Sequence, residues 1–142
     1  MKADEANILV ERLRAAGLRV TPQRRAVWAA VRAERGHLTA DEIYELARCE
    51  LPELSRATVY NSLAELVRAE LLQAVRGLGA VRYDPNLDPD HHHFHCQGCD
   101  RLYDVHLQTA EHLQLLGEEE FVVDRKSVLF EGYCSLCSQT AR

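Results

Sequence analysis

Two CxxC pairs, Cys96-Gln-Gly-Cys99 and Cys134-Ser-Leu-Cys137, stand 34 residues apart in a chain of 142 residues. Two residues between thiolates let both sulfurs of a knuckle reach one tetrahedral ion at about 2.3 Å, and two such knuckles close a four-sulfur site with no open coordination position. That arrangement suits a structural Zn(II). The gap exceeds that of common zinc ribbons, so the ion would pin the end of the chain to the start of its domain and supply much of the folding free energy there. The same residues could instead form a redox pair or merely pack in a core; two pairs at matching spacing favour zinc. Cys49 has no such partner and is expected to fill part of a helix face.

Asp90-His-His-His-Phe-His95 abuts the first knuckle. Alternate residues of a strand share a face, so His91 and His93 are expected to point together, with His92 and His95 turned elsewhere. Asp104, just past the knuckle, and Asp84, just before a linker, complete a nitrogen–oxygen set. Such ligands suit Fe(II), Mn(II), Zn(II) or Ni(II) with no strong intrinsic preference. Imidazoles must lose protons to bind, so this site should be weaker and more reversible than four thiolates, which suits sensing. The plainer alternative is a solvated histidine-rich loop. His37, alone after Gly36, reads by composition as a surface turn residue.

Helical periodicity dominates the first seventy residues, which must position part of this chemistry. Ile8, Leu9, Leu13 and Ala16 form an apolar stripe stopped by Gly17. Thr21-Pro22 reads as an N-cap with proline at the first helical position, and Ala26, Val27, Ala30 and Val31 share the face of the helix that follows. Thr39, with Glu42 three residues on, has the spacing of a capping box for a helix burying Ile43, Leu46 and Ala47. Ser55 opens a fourth helix with Val59, Leu63, Leu66 and Val67 as its stripe. From Leu72 to Tyr83 the pattern changes to two short strands around a turn at Gly77 and Gly79. Several short helices followed by a hairpin is the winged form of helix-turn-helix.

Residues 84–90, Asp-Pro-Asn-Leu-Asp-Pro-Asp, have two prolines and three acids and no periodicity, and read as a linker. Beyond them, Arg101 to His106 and Phe121 to Tyr133 are β-like, and a helix between them would bury Leu107, Ala110, Leu113 and Leu116. The fold class is therefore α+β: a winged helix-turn-helix domain over 1–84, a hinge over 85–90 and a small metal-binding α/β domain over 91–142.

Charge divides the same way. Residues 1–84 carry 13 Lys+Arg against 12 Asp+Glu, whereas residues 85–142 carry 4 against 10. Six of the seven histidines and four of the five cysteines lie in the acidic part, a composition suited to cations. Twelve of the thirteen basic residues of the first part are arginine, enough for a local DNA-facing surface despite a net charge of −5 for the chain. No run of about 18 apolar residues exists to span a bilayer. The charged N-terminus, MKADEANILVERLR, does not read as a secretory signal, so a cytoplasmic protein is expected.

The stretches GLRVTPQRRAVWAAV, GHLTADEIYELA, SRATVYNSLAELVRAELL, YDPN…DHHHFHCQGCDRLYDV and GYCSLC, in this order, closely resemble the ferric uptake regulator (Fur) superfamily. The resemblance implies a homodimeric winged-helix repressor that gains DNA affinity when a regulatory metal bridges its two domains, the C-terminal domain being the dimerisation domain. It places Cys96, Cys99, Cys134 and Cys137 at the structural zinc. It recruits His37 to the regulatory site, which becomes His37, Asp84, His91, His93 and Asp104, with Fe(II) or Mn(II) bound. Asp104, where iron-uptake members more often carry Glu, and the reading ATVYN lean toward the peroxide-sensing branch, in which peroxide oxidises His37 or His91. Iron, manganese or zinc uptake regulators without peroxide sensing are the alternative. A further family site would use Asp90, His92 and Glu111, with Lys126 standing where a histidine ligand is expected.

In a winged helix the fourth helix enters the major groove. Arg56, Thr58, Tyr60 and Asn61 are then candidate DNA contacts, with Arg24, Arg25 and Arg76 as phosphate candidates, and the resemblance implies a minor-groove or backbone contact for Arg19. A dimer would read a palindrome, AT-rich by resemblance. A metalloenzyme built on the histidine cluster needs a positioned base that the sequence does not offer, and a metal-storage protein would leave the helical reader unexplained.

Overall fold

The computed structural model describes residues 3–33, 37–76, 79–108 and 113–140. The expectations for Gly36, Gly77, Ala110 and Glu111 lie outside these. The chain divides into two compact units, Met1–Leu87 and Asp88–Arg142. The boundary falls within the proline-bearing stretch read as a linker.

The first unit opens with α1 (Ala3–Ala15), α2 (Pro22–Ala33), a two-residue strand β1 (Leu38–Thr39), α3 (Ala40–Glu50) and α4 (Arg56–Arg68), then β2 (Gln73–Val75) and β3 (Arg82–Asp84). Local chemistry sets these boundaries. Gly17 takes φ +71° after α1, a conformation that favours glycine, and Leu18 N–H closes onto Leu13 O at 2.8 Å. Thr21 Oγ1 accepts from Arg24 N–H at 3.2 Å at the start of α2. At α3 the capping box forms: Glu42 N–H donates to Thr39 Oγ1 at 3.3 Å, and Thr39 N–H donates to Glu42 Oε2 at 2.8 Å. Ser55 Oγ accepts from Thr58 N–H at 3.1 Å and caps α4.

One apolar core joins these helices. Leu9 and Leu13 from α1, Val27, Trp28 and Val31 from α2, Ile43 and Ala47 from α3, and Val59, Leu63 and Leu66 from α4 are all buried. The first stripe is narrower than expected: Ile8 is 49% exposed and Ala16 is exposed, because α1 touches the core along Leu9 and Leu13. Cys49 is also exposed, its thiol donating to Glu45 O within the helix, so it fills no part of the buried face. The three strands form a sheet of order β1-β3-β2, antiparallel throughout, with Leu38 opposite Tyr83 and Gln73 opposite Asp84.

The second unit is built on β4 (His91–Cys96), flanked by antiparallel β5 (Leu102–His106) and parallel β6 (Leu129–Gly132), with α5 (Ser135–Thr140) at the end. Among its described residues the only buried ones are His91, His92, His93, Cys96 and Leu102. A unit whose interior is imidazole and thiol cannot rest on apolar burial alone. The helix expected to bury Leu113 and Leu116 is not present over 113–117, and both side chains are exposed, Leu116 by 96%. The β-like run from 121 forms a strand only at Leu129–Gly132, where β4 offers a hydrogen-bonding edge.

Candidate metal centres and DNA-reading face

Cys96 ends β4, and the chain turns back through Asp100, whose φ of +59° lets its N–H reach Cys96 O at 2.8 Å. That turn carries Cys99. Cys134 follows β6 and Cys137 lies in α5. The four sulfurs lie within 4.8 Å of one another. A four-coordinate zinc with sulfurs about 2.3 Å away spaces them roughly 3.8 Å apart, so the donor set fits that ion. Gly98 makes the close approach possible: a Cβ there would sit 2.7 Å from Cys137 Cβ and 2.9 Å from its Sγ.

Electrostatics within the cluster point the same way. The N–H of Cys134 donates to Cys96 Sγ at 3.3 Å and holds that thiol down at a pKa of about 6, while hydrogen bonding to Cys134 and Cys96 pushes Cys137 up to about 12. Four thiols this close cannot all ionise unaided; a cation removes the conflict by stabilising every thiolate together.

The histidines of β4 are sorted by the backbone. His91 Nδ1 lies 2.5 Å from Asp88 O, and a carbonyl can only accept, so the proton sits on Nδ1 and the Nε2 lone pair is left for a ligand. That Nε2 is 4.0 Å from Asp104 Oδ1, and His93 Nε2 is 3.7 Å from the same oxygen. His93 and Asp104 are cross-strand partners, and the rings of His91 and His93 meet edge to face at 4.9 Å. All three donors thus gather on one side of the second unit.

His92 is set the opposite way. Val128 N–H donates to its Nδ1 at 3.1 Å, which leaves the proton of the neutral ring on Nε2 and no lone pair for a metal. Burial further lowers its pKa. Its ring lines a cavity of about 240 Å³ with Asp90 and Lys126, an arrangement that disfavours a metal at Asp90 and His92. His95 is turned elsewhere, as expected: strand alternation alone would give it the face of His91 and His93, but its Nε2 meets Asp100 Oδ1 at 2.8 Å, away from Asp104.

The first unit carries a second half of the donor set. His37 is 9% exposed and Asp84 2% exposed, and His37 Nε2 lies 3.1 Å from Asp84 Oδ2. His37 is therefore not the surface turn residue that composition suggests. The signal that reveals it is register: Leu38 pairs with Tyr83, so the residue before one stands opposite the residue after the other.

On α4, Tyr60 is 50% exposed and Asn61 is exposed, on the side away from Val59 and Leu63. Thr58 is half-buried, its hydroxyl 2.8 Å from Ser55 Oγ at the cap. Arg19 is exposed. Arg56, at the first position of α4, pairs with Asp41 and with Glu45 at 3.4 Å and lies 4.4 Å over the Tyr44 ring. Arg24 departs from the phosphate role expected of it: its Nε donates to Glu65 Oε2 at 2.7 Å in a part-buried pair that clamps α2 to α4.

Residues 15–130 match the model of the ferric uptake regulator family. The transcriptional regulator FurA of Mycobacterium tuberculosis is 36% identical over 131 residues, covering 90% of this chain and 88% of that protein. The peroxide operon regulator of Bacillus subtilis is 31% identical over 142 residues, covering 98% and 97%. The ferric uptake regulator of Helicobacter pylori, a structure described as revealing three functional metal binding sites, superposes with a TM-score of 0.76 at 19% identity, over 95% of this chain and 92% of that one.

Proposed function

The chain belongs to the ferric uptake regulator family, whose members are metal-dependent transcriptional regulators and not enzymes, and from that premise we propose a metal-responsive repressor that binds double-stranded DNA as a homodimer in the cytoplasm. In this reading Cys96, Cys99, Cys134 and Cys137 hold a structural Zn(II), and His37, Asp84, His91, His93 and Asp104 hold a regulatory Fe(II) or Mn(II). The observation that carries it is the convergence of His91 Nε2 and His93 Nε2 on Asp104 Oδ1, at 4.0 and 3.7 Å, with His91 Nδ1 turned to the Asp88 carbonyl.

The mechanism follows from where the donors come from. His37 and Asp84 belong to the winged-helix unit; His91, His93 and Asp104 belong to the other. An ion that takes ligands from both favours one relation between them and shifts the population toward it. Tyr60 and Asn61 then meet bases, Arg19 meets the backbone or minor groove, and two copies read the halves of a palindromic, AT-rich operator. Dimerisation is supported by apolar side chains that the second unit leaves in water, among them Leu116 at 96%, Val122 at 94% and Leu136 at 75% exposure. No helix among the described residues is long and apolar enough to cross a membrane.

Fe(II), when bound, would supply the reduction of hydrogen peroxide, and the peroxide-sensing reading makes His37 or His91 the ring that takes up the oxygen. Asp104 and the B. subtilis relative support it; an uptake regulator without that chemistry is the second reading, which the nitrogen–oxygen donor set suits equally because it has no strong intrinsic metal preference. A mobility-shift titration on AT-rich palindromic DNA tests the main proposal. Mn(II) should strengthen binding by the wild type and leave His37→Ala unchanged at full zinc content; a response to Mn(II) that survives in His37→Ala refutes it. Mass spectrometry after peroxide then separates the finer readings: one added oxygen on His37 or His91 with iron supports sensing, and none supports uptake regulation.

A further inference from the structure

The sheet that carries His37 and Asp84 is short, and β1 has two residues. Backbone pairing alone gives such an edge little stiffness, yet a metal half-site needs its donors held closely in place. Register shows what adds the stiffness. Leu38 faces Tyr83 and Thr39 faces Arg82, so His37 stands opposite Asp84; Gln73 faces Asp84 from the other side. His37, Asp84 and Gln73 form one row across the sheet, with Arg82 two residues back on the same face of β3.

Each of the two polar residues beside the donors acts on one of them. Gln73, 6% exposed, donates its side-chain amide to Asn86 O. Asn86 N–H in turn donates to Asp84 Oδ1 at 2.8 Å, which engages that oxygen and leaves Oδ2 toward His37 Nε2. Arg82 Nη1 donates to His37 O at 3.1 Å, anchoring the backbone from which the imidazole hangs. A guanidinium cannot ligate a cation, and the Gln73 amide is turned to a carbonyl, so neither residue competes for the ion.

We propose that Gln73 and Arg82 are positioning residues for the regulatory metal: Gln73 aims the Asp84 carboxylate through the Asn86 turn, and Arg82 fixes His37 through its carbonyl. The inference rests on the reading of His37 and Asp84 as ligands. Supporting groups of this kind are worth about 10- to 100-fold in metal affinity.

The test uses the full-length, zinc-loaded protein and Mn(II) alone as probe, read by calorimetry and by the electron paramagnetic resonance of the free ion. Arg82→Met and Gln73→Met should each weaken Mn(II) binding about tenfold or more, with zinc content and circular dichroism at wild-type values. Arg82→Lys, which keeps an N–H donor, should recover most of the loss. Wild-type Mn(II) affinity in both Met variants overturns the proposal. So does a variant that loses its native circular dichroism, or a loss that Arg82→Lys does not restore, since either shows a merely structural role. His37→Ala run alongside separates the two claims: unchanged Mn(II) affinity there refutes the ligand reading itself.

Discussion

Replacing Gly98 with alanine tests the zinc knuckle through a single methyl group. The added Cβ would meet Cys137 Cβ at 2.7 Å, Cys137 Sγ at 2.9 Å and Tyr133 Cδ1 at 3.4 Å. Carbon atoms settle at about 3.5–4.0 Å, so Cys137 must retreat by nearly an ångström, and its sulfur is one of the proposed ligands. Overpacking of this size costs about 1–3 kcal/mol. If the strain falls on the zinc-bound form, that converts to roughly a five- to 150-fold loss of zinc affinity at 1.4 kcal/mol per tenfold. Competition with a chromophoric chelator measures it. Gly17→Ala is the control, because a Cβ there meets nothing within 4 Å and only the φ of +71° resists it; its zinc affinity should match wild type. Wild-type zinc affinity in Gly98→Ala would refute the placement of Cys137 in the cluster.

Further outcomes follow from other side chains. Arg24 hydrogen-bonds Glu65 and holds its carboxyl below the usual range, so the pair stabilises the fold above the unfolded carboxylate pKa and the contribution fades as pH falls through the depressed value. Glu65→Gln, which keeps an acceptor for Arg24 but removes the charge, should cost about 1 kcal/mol in urea unfolding at pH 7 and flatten the acid limb of the stability profile; an unchanged acid limb contradicts this. His92→Gln should leave metal stoichiometry unaltered, whereas His91→Ala should lose the Mn(II) equivalent and keep zinc, as metal analysis would read. Asp41→Asn with Glu45→Gln frees Arg56 from its two carboxylates. Non-specific DNA binding should then tighten and its salt dependence steepen by about one unit in the log–log slope; an unchanged slope means Arg56 reaches no phosphate.

Much of the first unit is legible in the sequence because its signals are local. Thr39 with Glu42, Thr21 with Pro22, and Ser55 each name a helix start by chemistry that works within four residues. The four cysteines are legible for the same reason. What the sequence hides is set by long-range pairing. β1 is too short to show a period, so nothing local lifts His37 out of a turn; its place beside Asp84 depends on a strand more than forty residues away. The sorting of His91 from His92 depends on Asp88 O and Val128 N–H, backbone atoms without a signature of their own. The apolar spacing of Leu113 and Leu116 suggests a core helix, yet both are exposed, since periodicity alone does not tell an apolar face that is buried from one left in water.

One cation drawing imidazoles from both units is the core of the proposed switch, and counting nitrogen ligands tests it directly. Electron spin-echo modulation of Mn(II) in protein with ¹⁵N-labelled histidine should report three imidazoles in the wild type. It should report two in His37→Ala, with zinc unchanged. The same count in both proteins would contradict the claim.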